Sequence, residues 1–166
     1  MTDPAFIQKE QDEYNWLDWL PLFFIAASLL IAIWYYPSLP DKIPTHFNLK
    51  GEPDDWSSKN AVFMLPGIAV FMYGIMMVVI KGVPPRMWNL PVKVTPENAE
   101  VQYRLARNMM RALNAVITGF FCLMNYLIIQ VALGKLSTLS NLFMFGLFGA
   151  IGLVFTVYIM RSLRYK

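Results

Sequence analysis

The chain has one cysteine, Cys122, and one histidine, His46, among its 166 residues. A lone thiol excludes an intrachain disulfide, and the Cys/His clusters that build zinc sites have no material here. Charge is also scarce, at 15% of residues. It is absent altogether from four long apolar stretches, which removes the intramembrane ionisable groups on which proton relays and ion pathways depend. No Gly-rich or Cys-rich cofactor motif occurs. No cofactor and no nucleic-acid partner is expected.

What the chain has instead is apolar surface. Hydrophobic residues make up 57% and aromatics 15% of the sequence, more than one soluble domain of this length can bury. Crossing a hydrocarbon core takes roughly 20 mostly apolar residues, and four runs meet that length. The first is Trp19 to Tyr36, flanked by Trp16 and Trp19 at one end and by Trp34, Tyr35 and Tyr36 at the other. Such rings favour the headgroup level. The second is Ala61 to Ile80, the third Ala112 to Leu133 and the fourth Leu136 to Met160. Runs of this length are too long for barrel strands, so the fold class expected is an all-α integral membrane protein of four transmembrane helices. The segment before Trp19 is acidic and no small-x-small site follows Tyr36, which argues against a signal peptide.

Four crossings place residues 1–18, 81–111 and 161–166 in one compartment and residues 37–60 and 134–142 in the other. The first set carries ten Lys and Arg residues and the second four. The positive-inside rule therefore predicts N-in and C-in, with the 37–60 loop extracytoplasmic. Within a single membrane domain, 1–166, this separates residues 19–80 (two spans and their outer loop), the cytoplasmic stretch 81–111, and spans three and four at 112–160.

In the cytoplasmic stretch, Thr95 is a candidate N-cap, Pro96 suits the first helical position and Glu97 complements the helix dipole. Glu97, Glu100, Arg104, Arg107 and Arg111 recur at spacings of three and four beside an apolar stripe of Val101, Leu105, Met109 and Ala112, which predicts a helix running into span three. Its arginines, Arg104, Arg107 and Arg111, read as a cytoplasmic face for anionic lipid headgroups or for a docking partner. The three prolines of KGVPPRMWNLPVKV resist a helix. Within the spans, Thr118, Asn125 and Gln130 suit interhelical hydrogen bonds or a substrate cavity. Gly146, Gly149, Ala150 and Gly152 form a small-residue surface for packing or homodimerisation. Pro66 and Gly67 are placed to kink span two.

The polar residues left over concentrate in YYPSLPDKIPTHFNLKGEPDDWSSKN. Pro37, Pro40 and Pro44 hold its first half extended. Asn48 to Gly51 suits a β-turn that brings His46 towards Glu52 and Asp54, with Asp55, Ser57 or Ser58 capping the next helix and Trp56 at the interface. Three uses fit the cluster. It is a loop cap held by its own hydrogen bonds; a metal site in which His46 is a donor together with Asp54, Glu52 or Asp55, although its spacing matches no zinc pattern; or a surface for recognition or acid–base catalysis, with no Ser or Cys nucleophile evidently paired to the imidazole.

The string LPDKIPTHFNLKGEPDDWSSK resembles the signature of the bacterial membrane family known as domain of unknown function 1648. Leu39, Pro40, Ile43, Pro44, His46, Phe47, Asn48, Gly51, Asp54, Trp56 and Lys59 match its pattern. That domain is similar to the N-terminal part of SdpI-type immunity proteins, multi-span proteins with a further C-terminal half. They protect Gram-positive cells from a secreted peptide toxin and, in one system, sequester a repressor at the membrane. The resemblance implies a protein of the bacterial cytoplasmic (inner) membrane. The reading expected is a non-enzymatic recognition or accessory module, immunity-like in its sharpest form, binding a peptide, lipid or partner protein through His46, Asn48, Gly51, Asp54, Trp56 and Lys59. A membrane-embedded enzyme or metal-dependent protein using His46 and Asp54 is the rival. A subunit of a transporter or secretion complex is the third possibility.

Overall fold

A computed structural model describes residues 15–140 and 142–166; the acidic segment before Asn15 lies outside them. Asn15 opens the fold. Its side chain accepts from the Leu17 amide (3.0 Å) while the Asp18 carboxylate accepts from the Asn15 amide (3.3 Å), a capping box on the 3-10 turn Trp16–Asp18 that satisfies amides lacking helical partners. Helix α1, Trp19–Tyr35, follows without a break. Pro37 then tightens the chain into a second 3-10 turn, Tyr36–Ser38.

The expected extended loop is an antiparallel hairpin of β1, Lys42–Phe47, and β2, Pro53–Ser58. Among the described residues, this pair of strands is the one departure from helices and their connecting turns. Lys42 pairs with Ser58, Ile43 with Ser57 and Pro44 with Trp56, and the register slips on either side of His46. Pro44 is tolerated because neither strand of a two-stranded sheet needs every amide. The Ser58 hydroxyl accepts from the Asn60 amide, the cap expected of this serine, and starts the 3-10 segment Lys59–Phe63. Helix α2 is Met64–Gly82. Pro66 consequently sits in its first turn, where the missing amide costs nothing. The helix runs continuously through Pro66 and Gly67, where a kink was expected; the 3-10 segment lies ahead of them.

Helix α3 runs unbroken over 34 residues, Ala99–Ala132. At 1.5 Å per residue that is about 50 Å, against roughly 30 Å of hydrocarbon, so the helix that carries the Glu/Arg stripe and the third apolar run are one rod. Its start differs from the expectation. Asn98, not Thr95, is the N-cap residue; Thr95 opens a preceding turn in which its carbonyl accepts from Ala99 (2.9 Å) and its amide donates to the Asn98 side chain (2.9 Å). Helix α4, Leu142–Arg164, begins later than expected, because the residues up to Ser140 are used to reach the hairpin.

All three other helices pack on α3, and α1 also touches α2. In the most apolar stretch of each, 44% of α3 is buried but only 11% of α4. Helix α4 therefore leans on α3 as an outlying arm. Phe23, Leu30, Trp34, Phe71, Val78, Phe148 and Leu153 stand exposed on the outside, an arrangement that water disfavours and hydrocarbon accepts. Ala32, Leu39, Ile43, Val62 and Ile129 form a buried cluster that roots the hairpin between α1, the 3-10 segment Lys59–Phe63 and α3. At the opposite end, Gln102 donates to the Ser162 and Tyr165 carbonyls (3.0 and 2.8 Å) and accepts from the Ser162 hydroxyl. These contacts close the C-terminus of α4, whose last carbonyls have no intrahelical donors.

Candidate functional site

The hairpin turn is organised by Asn48. Its side-chain oxygen accepts from the Lys50 and Glu52 amides (2.8 and 3.1 Å), and its side-chain nitrogen donates to the Glu52 carboxylate (2.9 Å). The Gly51 amide closes the turn on the Asn48 carbonyl (2.8 Å). Gly51 has φ of 78°, and a Cβ there would lie 1.8 Å from the Leu139 carbonyl oxygen. Only glycine combines that backbone angle with that approach. Its carbonyl accepts from the Leu139 amide (2.8 Å), fastening the hairpin tip to the segment between α3 and α4. Leu139 packs there with Leu127 and Val131, against Phe47, Met124, Ile128 and Phe143.

His46 Nδ1 lies 2.5 Å from Asp54 Oδ1, with the imidazole two-thirds exposed and the carboxylate less so. The contact orients the ring and directs Nε2 away from Asp54. Lys59 instead belongs to the hairpin base: it is 3.6 Å from Asp41 and lies over the Tyr36 ring at 5.3 Å, while the Tyr36 hydroxyl donates to Asn60 (2.6 Å). Trp56 is half-exposed on β2. The six residues expected to act together thus divide. Asn48 and Gly51 build the turn, Lys59 holds the base, and His46 with Asp54 forms a dyad.

Beneath the hairpin lies a chamber of about 570 Å³, within the range of small-ligand sites. His46, Asn48 and Ser140 line it at the hairpin; Leu65, Phe121 and Met124 line it below. No signal in the sequence marks it, since its walls come from four segments far apart in the chain. A second apolar chamber, about 560 Å³, flanks the other side of α4 against Leu20 and Phe24 of α1, and includes Gly146 and Ala150. A Cβ at Gly146 or Gly149 would meet nothing within 4 Å, so among the described residues nothing packs tightly on these two glycines.

His46 and Asp54 offer two metal donors, and no His, Cys, Asp or Glu joins them to make three among the described residues. Three protein ligands are the usual minimum for catalytic zinc.

The arginine face is corrected by the structure. Arg104 is exposed and lies 3.7 Å from Glu100 one turn away, but Arg107 and Arg111 are buried. Arg111 Nε donates to Asp18 Oδ1 (2.9 Å) and its Nη1 to Asn108 (3.3 Å), and Asn108 also accepts from the Asn15 side chain (3.1 Å). The Arg107 guanidinium lies 5.8 Å from the Trp88 ring centroid. Helical spacing placed the three arginines on one stripe; the proline-rich stretch and the start of α1 then covered the last two. Within the bundle, Asn125 donates to the Ser28 carbonyl and hydroxyl (both 3.3 Å), the interhelical role expected of it, while Thr118 bonds back to the Asn114 carbonyl of its own helix (2.8 Å). Outside the bundle, the Thr95 hydroxyl and the residue's own amide hold the Glu97 carboxyl below the usual carboxylate range.

Four helices long and apolar enough to cross a bilayer, joined at one end by a hairpin over a chamber, define a multi-pass membrane protein. Residues 23–70, from α1 through the hairpin into the start of α2, match the family described as "Domain of unknown function (DUF1648)". This is the family that the loop signature resembles. An uncharacterized protein of Archaeoglobus fulgidus is 27% identical over 153 aligned residues, covering 84% of each chain. No solved structure matches the chain.

Proposed function

We propose that this chain is a membrane-embedded recognition protein that receives an amphiphilic ligand at its hairpin end and carries out no chemical step on it. The chamber supports this reading. It sets a few polar side chains at the top of an apolar hollow, the distribution typical of binding sites. The exposed His46–Asp54 dyad lies at its mouth, where it can hydrogen-bond to a ligand without first breaking a buried contact. The excess of Lys and Arg on the terminal side supports N-in and C-in topology with the hairpin outside a cytoplasmic membrane. An immunity-like role, capture of an apolar peptide toxin or of the lipid that it needs, is the sharpest biological form of the proposal.

The test is thermal unfolding of the purified chain in detergent during titration with lipids and with short apolar peptides. A ligand that binds only the folded state adds about 2.7 kcal/mol at a hundredfold excess over Kd. A saturable rise in melting temperature is expected with one of these amphiphiles, reduced by His46→Ala. If no amphiphile gives a saturable rise, the reading is wrong.

A further inference from the structure

We infer that the chamber holds one hydrocarbon tail of a bilayer lipid, admitted sideways between α2 and α4, with the lipid's polar part at His46, Asn48 and Ser140. This rests on the chamber being the binding site. Three features of the molecule select a lipid.

The first is the side opening. Helices α2 and α4 both lean on α3 and share no extensive interface, and the lining residues Leu65 and Phe145 stand on either side of the gap. The second is depth. Met124 and Phe121 precede the end of α3 at Ala132 by 8 and 11 residues, which is about 12 and 16 Å along the helix axis. A chamber floor at that level lies among acyl chains rather than water.

The third is the absence of partners for a peptide backbone. Below His46, Asn48 and Ser140 the lining contributed by α2, α3 and α4 is leucine, isoleucine, phenylalanine and Met124, whose side chains offer no donor and, apart from the weak methionine sulfur, no acceptor. The N–H and C=O groups of an extended peptide inserted there would lose their hydrogen bonds to water and gain none, a cost of several kcal/mol for each group, and a helix, about 10–12 Å across, is too wide for the space. An alkyl chain brings no such groups. Its polar end would instead meet a ring held by Asp54, an amide held by its own turn and a serine hydroxyl.

The full chain is reconstituted in vesicles of phosphatidylethanolamine and phosphatidylglycerol, released into mild detergent and weighed by native mass spectrometry. One retained lipid per chain is expected. Met124→Trp, which fills the chamber, and Leu65→Trp, which narrows its side opening, should each lower retention about tenfold or more, a shift of about 1.4 kcal/mol. Leu65 lies at the rim, so its variant keeps the test alive if Met124→Trp fails to fold. Gly146→Leu fills the chamber on the other side of α4 and should retain lipid as the parent does. No retained lipid, or equal loss in all three variants, overturns the inference. If lipid is not retained but an apolar peptide raises the melting temperature saturably, this inference falls and the recognition reading stands. If neither occurs, both fall.

Discussion

Each end of the bundle carries an acid and a base in contact, in opposite surroundings. At the terminal end, Asp18 and Arg111 meet at 2.9 Å with side chains only 16% and 7% exposed. Asn15 and Asn108 fill in around them. At the hairpin end, His46 and Asp54 meet in the open, at 68% and 41% exposure. A pair removed from water repays its desolvation only while both partners are present, so it behaves as a structural joint between helices. A pair left in water costs little to form or to break, and either group is free to exchange its partner for a ligand. The arginine that resembles a surface charge in the sequence is thus part of the scaffold, whereas the contact of the histidine with Asp54 is left in water.

The widest test of this contrast is Arg111→Leu. It leaves Asp18 buried without its cation and should cost about 3–5 kcal/mol, read as a lowered midpoint in unfolding from detergent. Pairing it with Asp18→Leu should recover much of the loss, whereas an additive double variant would mean that the two never act as a unit. Next comes Gly51→Ala. The positive φ alone costs about 1–3 kcal/mol in a residue with a Cβ, and the clash with Leu139 should undock the hairpin tip, detected as faster hydrogen exchange of the Leu139 amide. Smaller still, His46→Ala should lower stability by less than about 1 kcal/mol, and Ser28→Ala by about 0.6 kcal/mol, the average for interhelical side-chain bonds in membranes. A loss of several kcal/mol from His46→Ala would make the dyad structural and erase the difference between the ends.

The faintest effect concerns Glu97. Its folded pKa is depressed by the Thr95 hydroxyl and its own amide, so its contribution is fully present above the ordinary carboxylate pKa and is lost as pH falls through the folded value. Thr95→Val should move that titration upward in an NMR pH series, with Glu97 ionised at pH 7 in both proteins. An unmoved titration would remove the Thr95 contact from the account.

Much of the architecture was legible because it depends on local composition. A charge-free run of about 20 residues reports a span wherever it occurs, and all four appear as helices. The turn was legible for a similar reason: Asn48 and Gly51 act within five residues of one another. Boundaries shifted where a cap competed with its neighbours, as when Asn98 displaced Thr95 and Ser58 opened a 3-10 segment ahead of α2. Thirty-four uninterrupted helical residues in α3 were foreshadowed by the Glu/Arg stripe. The burial of Arg107 and Arg111 was not, since spacing says which residues share a face and nothing of what comes to cover it. For the same reason Leu139 carries no mark in the sequence of the Gly51 contact that makes it a clasp.

The sequence by itself determined how many helices are long and apolar enough to cross a bilayer, and the hairpin turn, because hydrocarbon length and turn chemistry are written in short stretches. Only the tertiary structure decided which charges are buried, which of the conspicuous loop residues are already occupied, and that a chamber lies beneath them. Burial and cavities arise where segments distant in the chain meet, and for Asp18 with Arg111, or Leu65 with Met124, only the packing of α1 and α2 against α3 brings them together.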